Sequence, residues 1–186
     1  MPANITDNKI NILAISGSLR PNSSNNAVLD LAATLVLENG HFTIYEGLGS
    51  LPHFDDSKTP ANEVEEWRRQ LIEADGVLIC SPEYAFGVPG SLKNALDWTV
   101  SSGELVYKPL ALITAATGGD KAHTALLLTF TALSSNIPES SQLLISYVRS
   151  KMNDKGEITD TVTIEGIKSV IESMVDMINT TKTEND

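Results

Sequence analysis

The sequence predicts an α/β fold in which a five-stranded parallel sheet lies between two layers of helices, a three-layer α/β/α sandwich. Short apolar segments alternate with segments whose apolar residues recur at helical spacing. The short segments are apolar almost throughout, as expected of strands that helices cover on both faces. The chain has 186 residues and shows no repeat, linker or second apolar core, so residues 1–186 are predicted to form a single domain.

The first half of the chain contains three predicted strands and two predicted helices. Ile10–Ile15 is short and β-branched and leads to Gly17, which indicates a buried strand. A helix follows the polar residues 20–26, and Asn39-Gly40 is predicted to end it, because Gly is the usual left-handed cap. The other predicted elements are a strand at 42–45, a loop at 46–61, a helix that starts at Asn62 or Glu63, and a strand at 76–80.

The second half continues the alternation with two strands and three helices. The closing helix, 164–178, is the most regular of them, with apolar residues at Ile167, Val170, Ile171 and Met174. Residues 180–186 are polar and are predicted to be a frayed tail. The remaining predictions are a loop at 81–90, a helix at 91–100, a strand at 110–115, a turn at 117–120, a helix at 121–133 and a strand at 142–147.

Composition and charge exclude several classes of partner. Thirteen Lys and Arg stand against 24 Asp and Glu, a net charge of −11, so neither nucleic acid nor an anionic membrane surface is an expected partner. The single cysteine, Cys80, cannot form an intramolecular disulfide and suits a reducing compartment. No apolar run approaches the ~18 residues of a membrane span, and residues 1–9 do not resemble a signal peptide. A cytoplasmic location is therefore predicted.

Ligands of parallel sheets bind beyond the carboxyl ends of the strands, which directs attention to the loop after the first strand. This loop joins a buried strand to a helix N-terminus, where unpaired N–H groups and a partial positive charge favour phosphate. A helix cap alone would need one Ser or Asn, whereas here such donors fill most of the loop. The candidate binding residues are Ser16, Ser18, Arg20, Ser23, Ser24 and Asn25.

Two further loops are predicted to complete the pocket. The loop after the third strand is stiffened by two prolines and is able to present backbone groups to the edge of a planar heterocycle. Its alternative role is a rigid connector whose aromatic residues lie in an oligomer contact. The candidate residues of the second loop are Pro82, Glu83, Tyr84, Ala85, Phe86 and Gly87, and those of the third loop are Thr114, Thr117, Gly118 and Gly119.

Other residues that carry chemistry are predicted to have structural roles. Cys80 lies in a buried strand, so a core role is favoured over a redox role. Glu83 is a possible base, but a structural or dimer-interface role is favoured. The isolated histidines form no H-x-x-x-H pair, which predicts no metal site. Their expected places are a helix end for His41, a mobile loop for His53 and the first turn of a helix beside the third loop for His123, while Trp67 and Trp98 are assigned to the core or an interface.

Residues 9–146 resemble the NADPH-dependent FMN reductase family. The resemblance is carried by Gly17-Ser18-Leu19-Arg20 with Ser23 and Asn25, and by Pro82-Glu83-Tyr84 followed by Pro89-Gly90-Ser91-Leu92-Lys93-Asn94-Ala95-Leu96-Asp97-Trp98. It implies a flavodoxin-like fold, FMN with its phosphate in the first loop and its isoalloxazine ring against the second, NADPH or NADH as donor, and a homodimer or homotetramer. The chain has Ala85 and Gly87 where the family often has Asn and Ser.

The resemblance also implies a reaction. Hydride is expected to pass from a nicotinamide to flavin N5, and then two electrons to an oxidised acceptor such as free flavin, a quinone, an azo dye or chromate. No catalytic side chain is expected, because the flavin does the redox chemistry. Backbone N–H groups near residues 83–87 would stabilise the reduced flavin. The alternatives are a flavodoxin-like electron carrier and a flavin-free scaffold.

Overall fold

A parallel sheet of five strands, in the order β2-β1-β3-β4-β5, forms the centre of the computed structural model, which describes residues 9–36, 40–135 and 137–185. The prediction of five parallel strands is confirmed. The strands are β1 (Ile10–Ser16), β2 (Gly40–Ile44), β3 (Gly76–Ser81), β4 (Leu110–Ala116) and β5 (Gln142–Ser146).

Five α-helices cover the two faces of the sheet, which confirms the three-layer architecture. Side chains of α2, α3 and α4 share one apolar cluster with one face of the sheet. Those of α1 and α5 share a second cluster with the other face. The helices are α1 (Ser24–Leu35), α2 (Asn62–Glu73), α3 (Gly90–Asp97), α4 (Asp120–Ala132) and α5 (Thr161–Asn185).

The two central strands explain why the strand segments are apolar throughout. Every residue of β3 and β4 is buried. Val77 and Ile79 enter the cluster on one face, whereas Leu78 and Cys80 enter the cluster on the other, as the two-residue period of a strand requires. Trp67 and Trp98 are both buried, which confirms a core position for them.

The strand order places a crevice at the carboxyl edge of the sheet. From β1 the chain turns to one side to form β2 and then crosses to the other side to form β3. Loops that leave β1 and β3 therefore diverge, and open α/β sheets bind their ligands at this switch point. Because all five strands are parallel, the segments that follow them meet at the same edge.

The prediction that Asn39-Gly40 caps the first helix is wrong for Gly40, while Asn39 lies outside the described residues. Helix α1 ends at Leu35 with Val36 as its C-cap, and Gly40 is already paired with Ile10 in the sheet. The chain must be extended by residue 40 for this pairing. His41 consequently lies exposed on β2 rather than at a helix end.

The tail prediction is also wrong for residues 180–185, which continue α5. Hydroxyls of three threonines in this turn donate to the carbonyl four residues earlier, and Lys182 Nζ lies 2.9 Å from Asp75 Oδ2 near the start of β3. These contacts hold a polar segment in the helix. Asp186 and residues 1–8 lie outside the described part of the chain. Within the described ranges, no helix has the length and apolarity needed to cross a membrane.

Candidate functional site

A cavity of about 530 Å³ opens at the carboxyl edge of the sheet. The segments that follow β1, β3, β4 and β5 all contribute to its lining. Eight of the sequence-predicted site residues are brought together there: Arg20, Ser23, Ser24, Asn25, Pro82, Glu83, Tyr84 and Thr117. The other eight do not line it: Ser16, Ser18, Ala85, Phe86, Gly87, Thr114, Gly118 and Gly119.

The N-terminus of α1 supplies one wall of the cavity. Ser23 is its N-cap, and the Ser23 hydroxyl accepts a hydrogen bond of 3.2 Å from the backbone N–H of Asn25. Ser24 is the first helical residue, and its backbone N–H has no partner among the described residues. The next three N–H groups of the turn all bond to Ser23. Arg20 is exposed beside them and lines the same cavity. This wall combines a full positive charge with the positive end of a helix dipole.

Asn25 fixes this helix N-terminus to the sheet. Its side chain, in a residue only 1% exposed, donates to the Ala115 carbonyl on β4 over 3.2 Å. Its Oδ1 accepts from the Cys80 thiol on β3, also over 3.2 Å. The amide therefore positions the cavity wall by joining three elements.

Two predicted site residues next to this wall, Ser16 and Ser18, make hydrogen bonds within the protein and do not line the cavity. The Ser16 hydroxyl donates to Asn26 Oδ1 over 2.7 Å and so holds the start of α1 against β1. The Ser18 hydroxyl accepts from the Arg20 backbone N–H and lies 3.2 Å from the Tyr84 hydroxyl. Ser18 thereby connects the first loop to the second, although it stays outside the cavity lining.

Cys80 has the core role that its position in the sequence predicts. The side chain is fully buried, and burial raises the pKa of its thiol well above the ordinary value. The thiol stays protonated at neutral pH, and the thiolate is the reactive form of cysteine. Nothing in this environment favours redox chemistry at Cys80.

The second loop contains a tight two-residue turn. Backbone N–H and C=O groups of Tyr84 and Gly87 are bonded to each other in both directions, at 3.0 and 2.9 Å. Ala85 and Phe86 between them have φ of +49° and +60°. Positive φ at both central positions defines a type I′ turn, which favours Asn-Gly. Phe86 at its tip is 81% exposed.

Glu83 joins the second loop to the third. Its Oε2 accepts hydrogen bonds of 3.0 Å from the backbone N–H groups of Lys121 and Ala122, in the first turn of α4. A carboxylate at this end of a helix satisfies unpaired donors and is favoured by the helix dipole. The structural role favoured for Glu83 agrees with this geometry, and the carboxylate is engaged rather than free to act as a base.

The third loop packs against its neighbours more than it faces the cavity. The buried Thr114 hydroxyl lies 2.8 Å from His123 Nδ1. Burial lowers the pKa of His123, with a smaller opposing contribution from a hydrogen bond with Gln142, so this imidazole is mostly neutral at pH 7. A Cβ on Gly119 would come within 2.7 Å of Leu144. Through its contact with Thr114, His123 faces β4, and it does not line the cavity. His53 lies exposed in its loop.

Sequence reasoning missed the fourth segment of the lining, Tyr147–Ser150, which directly follows β5. It brings a second arginine, Arg149, to the cavity. The signal was available, because the carboxyl end of every parallel strand reaches the same edge. Asn22, Ala115 and Ala116 were also missed. Among the described residues, no three His, Cys, Asp or Glu side chains converge in a way that would hold a metal ion.

Comparison with known proteins gives a family match over most of the chain. Residues 10–149 match the model of the family described as NADPH-dependent FMN reductase. The chain is 28% identical over 178 residues to NADH-dependent flavin reductase subunit 2 of Lactobacillus johnsonii, covering 90% of this chain and 96% of the relative. It is 31% identical over 176 residues to NADPH:quinone oxidoreductase of Arabidopsis thaliana, covering 89% and 90%.

The fold is also found among solved structures. The FerB flavoenzyme of Paracoccus denitrificans, an NAD(P)H:(acceptor) oxidoreductase, superposes with a TM-score of 0.77 at 24% identity. The match covers 92% of this chain and 98% of FerB. The predicted flavodoxin-like fold is confirmed.

Replacing Glu83 tests its contact with α4. Glu83→Ala removes the acceptor for two N–H groups of the first turn, so the free energy of unfolding should fall by about 1–2 kcal/mol. Glu83→Gln keeps an acceptor without the charge and should lose less. Urea denaturation measures both. If the alanine variant is as stable as the wild type, Glu83 does not stabilise α4.

Replacing Ala85 tests the type I′ turn. Asn tolerates the left-handed region better than Ala, so Ala85→Asn should raise the free energy of unfolding by about 0.5–1 kcal/mol. The matched control is Ala33→Asn inside α1, which should lower it by about 0.5 kcal/mol because Asn is the poorer helix former. A destabilised Ala85→Asn variant would contradict the assigned turn.

Proposed function

The chain belongs to the NADPH-dependent FMN reductase family, and from this membership we propose that it is an FMN-dependent NAD(P)H oxidoreductase that reduces a flavin or a quinone. The observation that carries the proposal is the position of the cavity. Except for Ser150, every residue that lines it falls within the matched residues 10–149, at the switch point where a sheet of this order binds ligands.

The donor set at the start of α1 fits the phosphate of FMN. Arg20, Ser23 and Ser24 all line the cavity, so a guanidinium, two hydroxyls and the Ser24 backbone N–H that begins α1 are donors available there. Among the described residues, no carboxylate is paired with Arg20. Salt screens distant charges beyond ~8–10 Å, so the net charge of −11 does not prevent anion binding at this point.

The second loop fits the flavin ring. Pro82 and the half-exposed Tyr84 border the cavity and offer flat apolar surface. Within the described structure, the N–H groups of Ala85 and Phe86 have no hydrogen-bond acceptor, whereas those of Tyr84 and Gly87 are used in the turn. Ala85 and Phe86 lie outside the cavity lining but directly follow Tyr84, and we propose their N–H groups as donors to the edge of a ring that extends past Tyr84.

Bound FMN supplies the two-electron chemistry, with a nicotinamide as donor. The residues of the chain bind and orient these groups, and no side chain of the cavity needs to act as a nucleophile. Cys80 is a buried thiol, His123 faces Thr114, and Glu83 is held by α4. We propose NADPH or NADH as the donor. Azo dyes and chromate are proposed as further acceptors, beside flavin and quinone.

We also propose that the chain forms a single domain, that it is located in the cytoplasm and that it assembles into a homodimer or homotetramer. Support for self-association comes from large apolar side chains that are exposed on α4 and on the second loop. Leu128 on α4 is 66% exposed, and Phe86 in the second loop is 81% exposed. Burying such side chains against a second copy would remove them from water.

Steady-state kinetics test the enzymatic function. The protein with FMN should oxidise NADPH or NADH in the presence of a benzoquinone or free flavin, and reciprocal plots at several acceptor concentrations should be parallel, as in a ping-pong reaction. Turnover no faster than that of free FMN alone would contradict the enzyme and favour an electron carrier. Failure of FMN to bind would leave the flavin-free scaffold.

Replacing Arg20 tests the phosphate site. Arg20→Ala removes a charge-assisted hydrogen bond, so FMN binding should weaken by about 1.5–3 kcal/mol in a fluorescence titration. The control is Arg69→Ala, which removes an arginine that α2 pairs with Glu66 and Glu73 away from the cavity. It should leave the affinity unchanged, and an unchanged affinity in Arg20→Ala would remove Arg20 from the site.

Light scattering tests self-association. The wild type should have the mass of a dimer or tetramer, and Leu128→Glu should shift it towards the monomer, because a charge buried without a partner is costly. The control is Ser169→Glu, which adds the same charge at an exposed polar position of α5 and should not change the mass. A monomeric wild type would contradict the proposal.

A further inference from the structure

The four arginines of this acidic chain fall into two groups. Arg68 and Arg69 lie on α2, where Arg68 is 3.6 Å from Glu104 and Arg69 pairs with Glu66 and Glu73. The other two, Arg20 and Arg149, both line the cavity at the carboxyl edge of the sheet. Neither has a carboxylate partner among the described residues. With 24 acidic residues in the chain, two unpaired guanidinium groups at one cavity indicate a site for an anion.

Arg149 is held by a well-connected segment. It lies in a short 3₁₀ turn, Val148–Lys151, and the preceding Val148 is only 3% exposed. The backbone N–H of Tyr147 donates to the Thr117 carbonyl over 3.1 Å, which ties the segment to the third loop. The Lys151 carbonyl accepts from the Thr159 N–H over 2.9 Å. The position of the Arg149 backbone is therefore fixed, and its side chain does not depend on a mobile loop.

The two arginines reach the cavity from different elements. Arg20 belongs to the loop after β1, and Arg149 follows β5 at the far end of the sheet order. Ser24, whose backbone N–H begins α1 without a partner among the described residues, lines the same space. A phosphate dianion is the group that best uses two guanidinium forks together with a helix N-terminus, because each fork can hold two of its oxygens.

We propose that Arg149 binds the FMN 5′-phosphate together with Arg20, so that the segment Tyr147–Ser150 is a fourth cofactor-binding segment. This inference rests on the proposed function. It assigns to Arg149 a role in choosing FMN over riboflavin, which has the same ring and no phosphate.

Flavin titrations of the flavin-free protein test this assignment. Arg149→Gln should weaken FMN binding about tenfold to a hundredfold and change riboflavin binding less than about twofold, because the lost contact is to phosphate. Arg149→Lys keeps the positive charge but not the planar guanidinium, so its affinity for FMN should lie between those of the wild type and Arg149→Gln. The control Lys155→Gln removes the same charge from an exposed residue outside the cavity, and should bind FMN as the wild type does.

Three outcomes would overturn the assignment. If the wild type binds FMN tightly and both Arg149→Gln and Arg149→Lys bind it equally well, the assignment of Arg149 is wrong while the proposed function stands. The same holds if these variants instead raise the KM for NADPH, since Arg149 would then contact the donor. An equal loss for FMN and riboflavin would also overturn it, because the phosphate would not be the group contacted. A wild type that binds no FMN would overturn the proposed function as well.

Discussion

A single buried amide fixes the position of the cavity wall that the start of α1 forms. Asn25 lies in the first turn of α1, yet its side chain reaches β4 through the Ala115 carbonyl and β3 through the Cys80 thiol. An unpaired polar group at this depth would cost about 1–3 kcal/mol, so the start of α1 is held against these two strands. The Ser23 cap, the Ser24 N–H that begins α1 and the neighbouring Arg20 take their positions from that contact.

The segments around the cavity hold one another in place. Ser18 meets Tyr84 between the first and second loops, Glu83 binds the first turn of α4, and Tyr147 is bonded to Thr117. These contacts are made within the protein, so the cavity is formed before a ligand arrives. A preformed site loses less conformational freedom on binding, which favours affinity for a rigid ring and its phosphate.

The fold could be predicted because β3 and β4 are apolar along their whole length, which a parallel sheet between helices requires. Local ambiguity caused the errors: Gly40 suits a helix cap as well as the start of an edge strand, and the threonines after Thr180 look like a tail although their hydroxyls bond within α5. The cavity could be placed, but the role of each polar residue could not. Asn25 finds its partners 90 and 55 residues away, and Glu83 finds its own 38 and 39 residues away. Spacing in the sequence does not reveal such distant pairs.

We propose that one cavity, built at the carboxyl ends of four parallel strands, holds FMN by its phosphate. A crystal structure of the protein with FMN is the decisive measurement. We expect phosphate oxygens about 3 Å from the Ser24 N–H that begins α1, with the guanidinium groups of Arg20 and Arg149 on the same phosphate and the ring along residues 82–87. Flavin bound with its phosphate elsewhere, or no flavin in crystals soaked with it, would show that the cavity is not the FMN site.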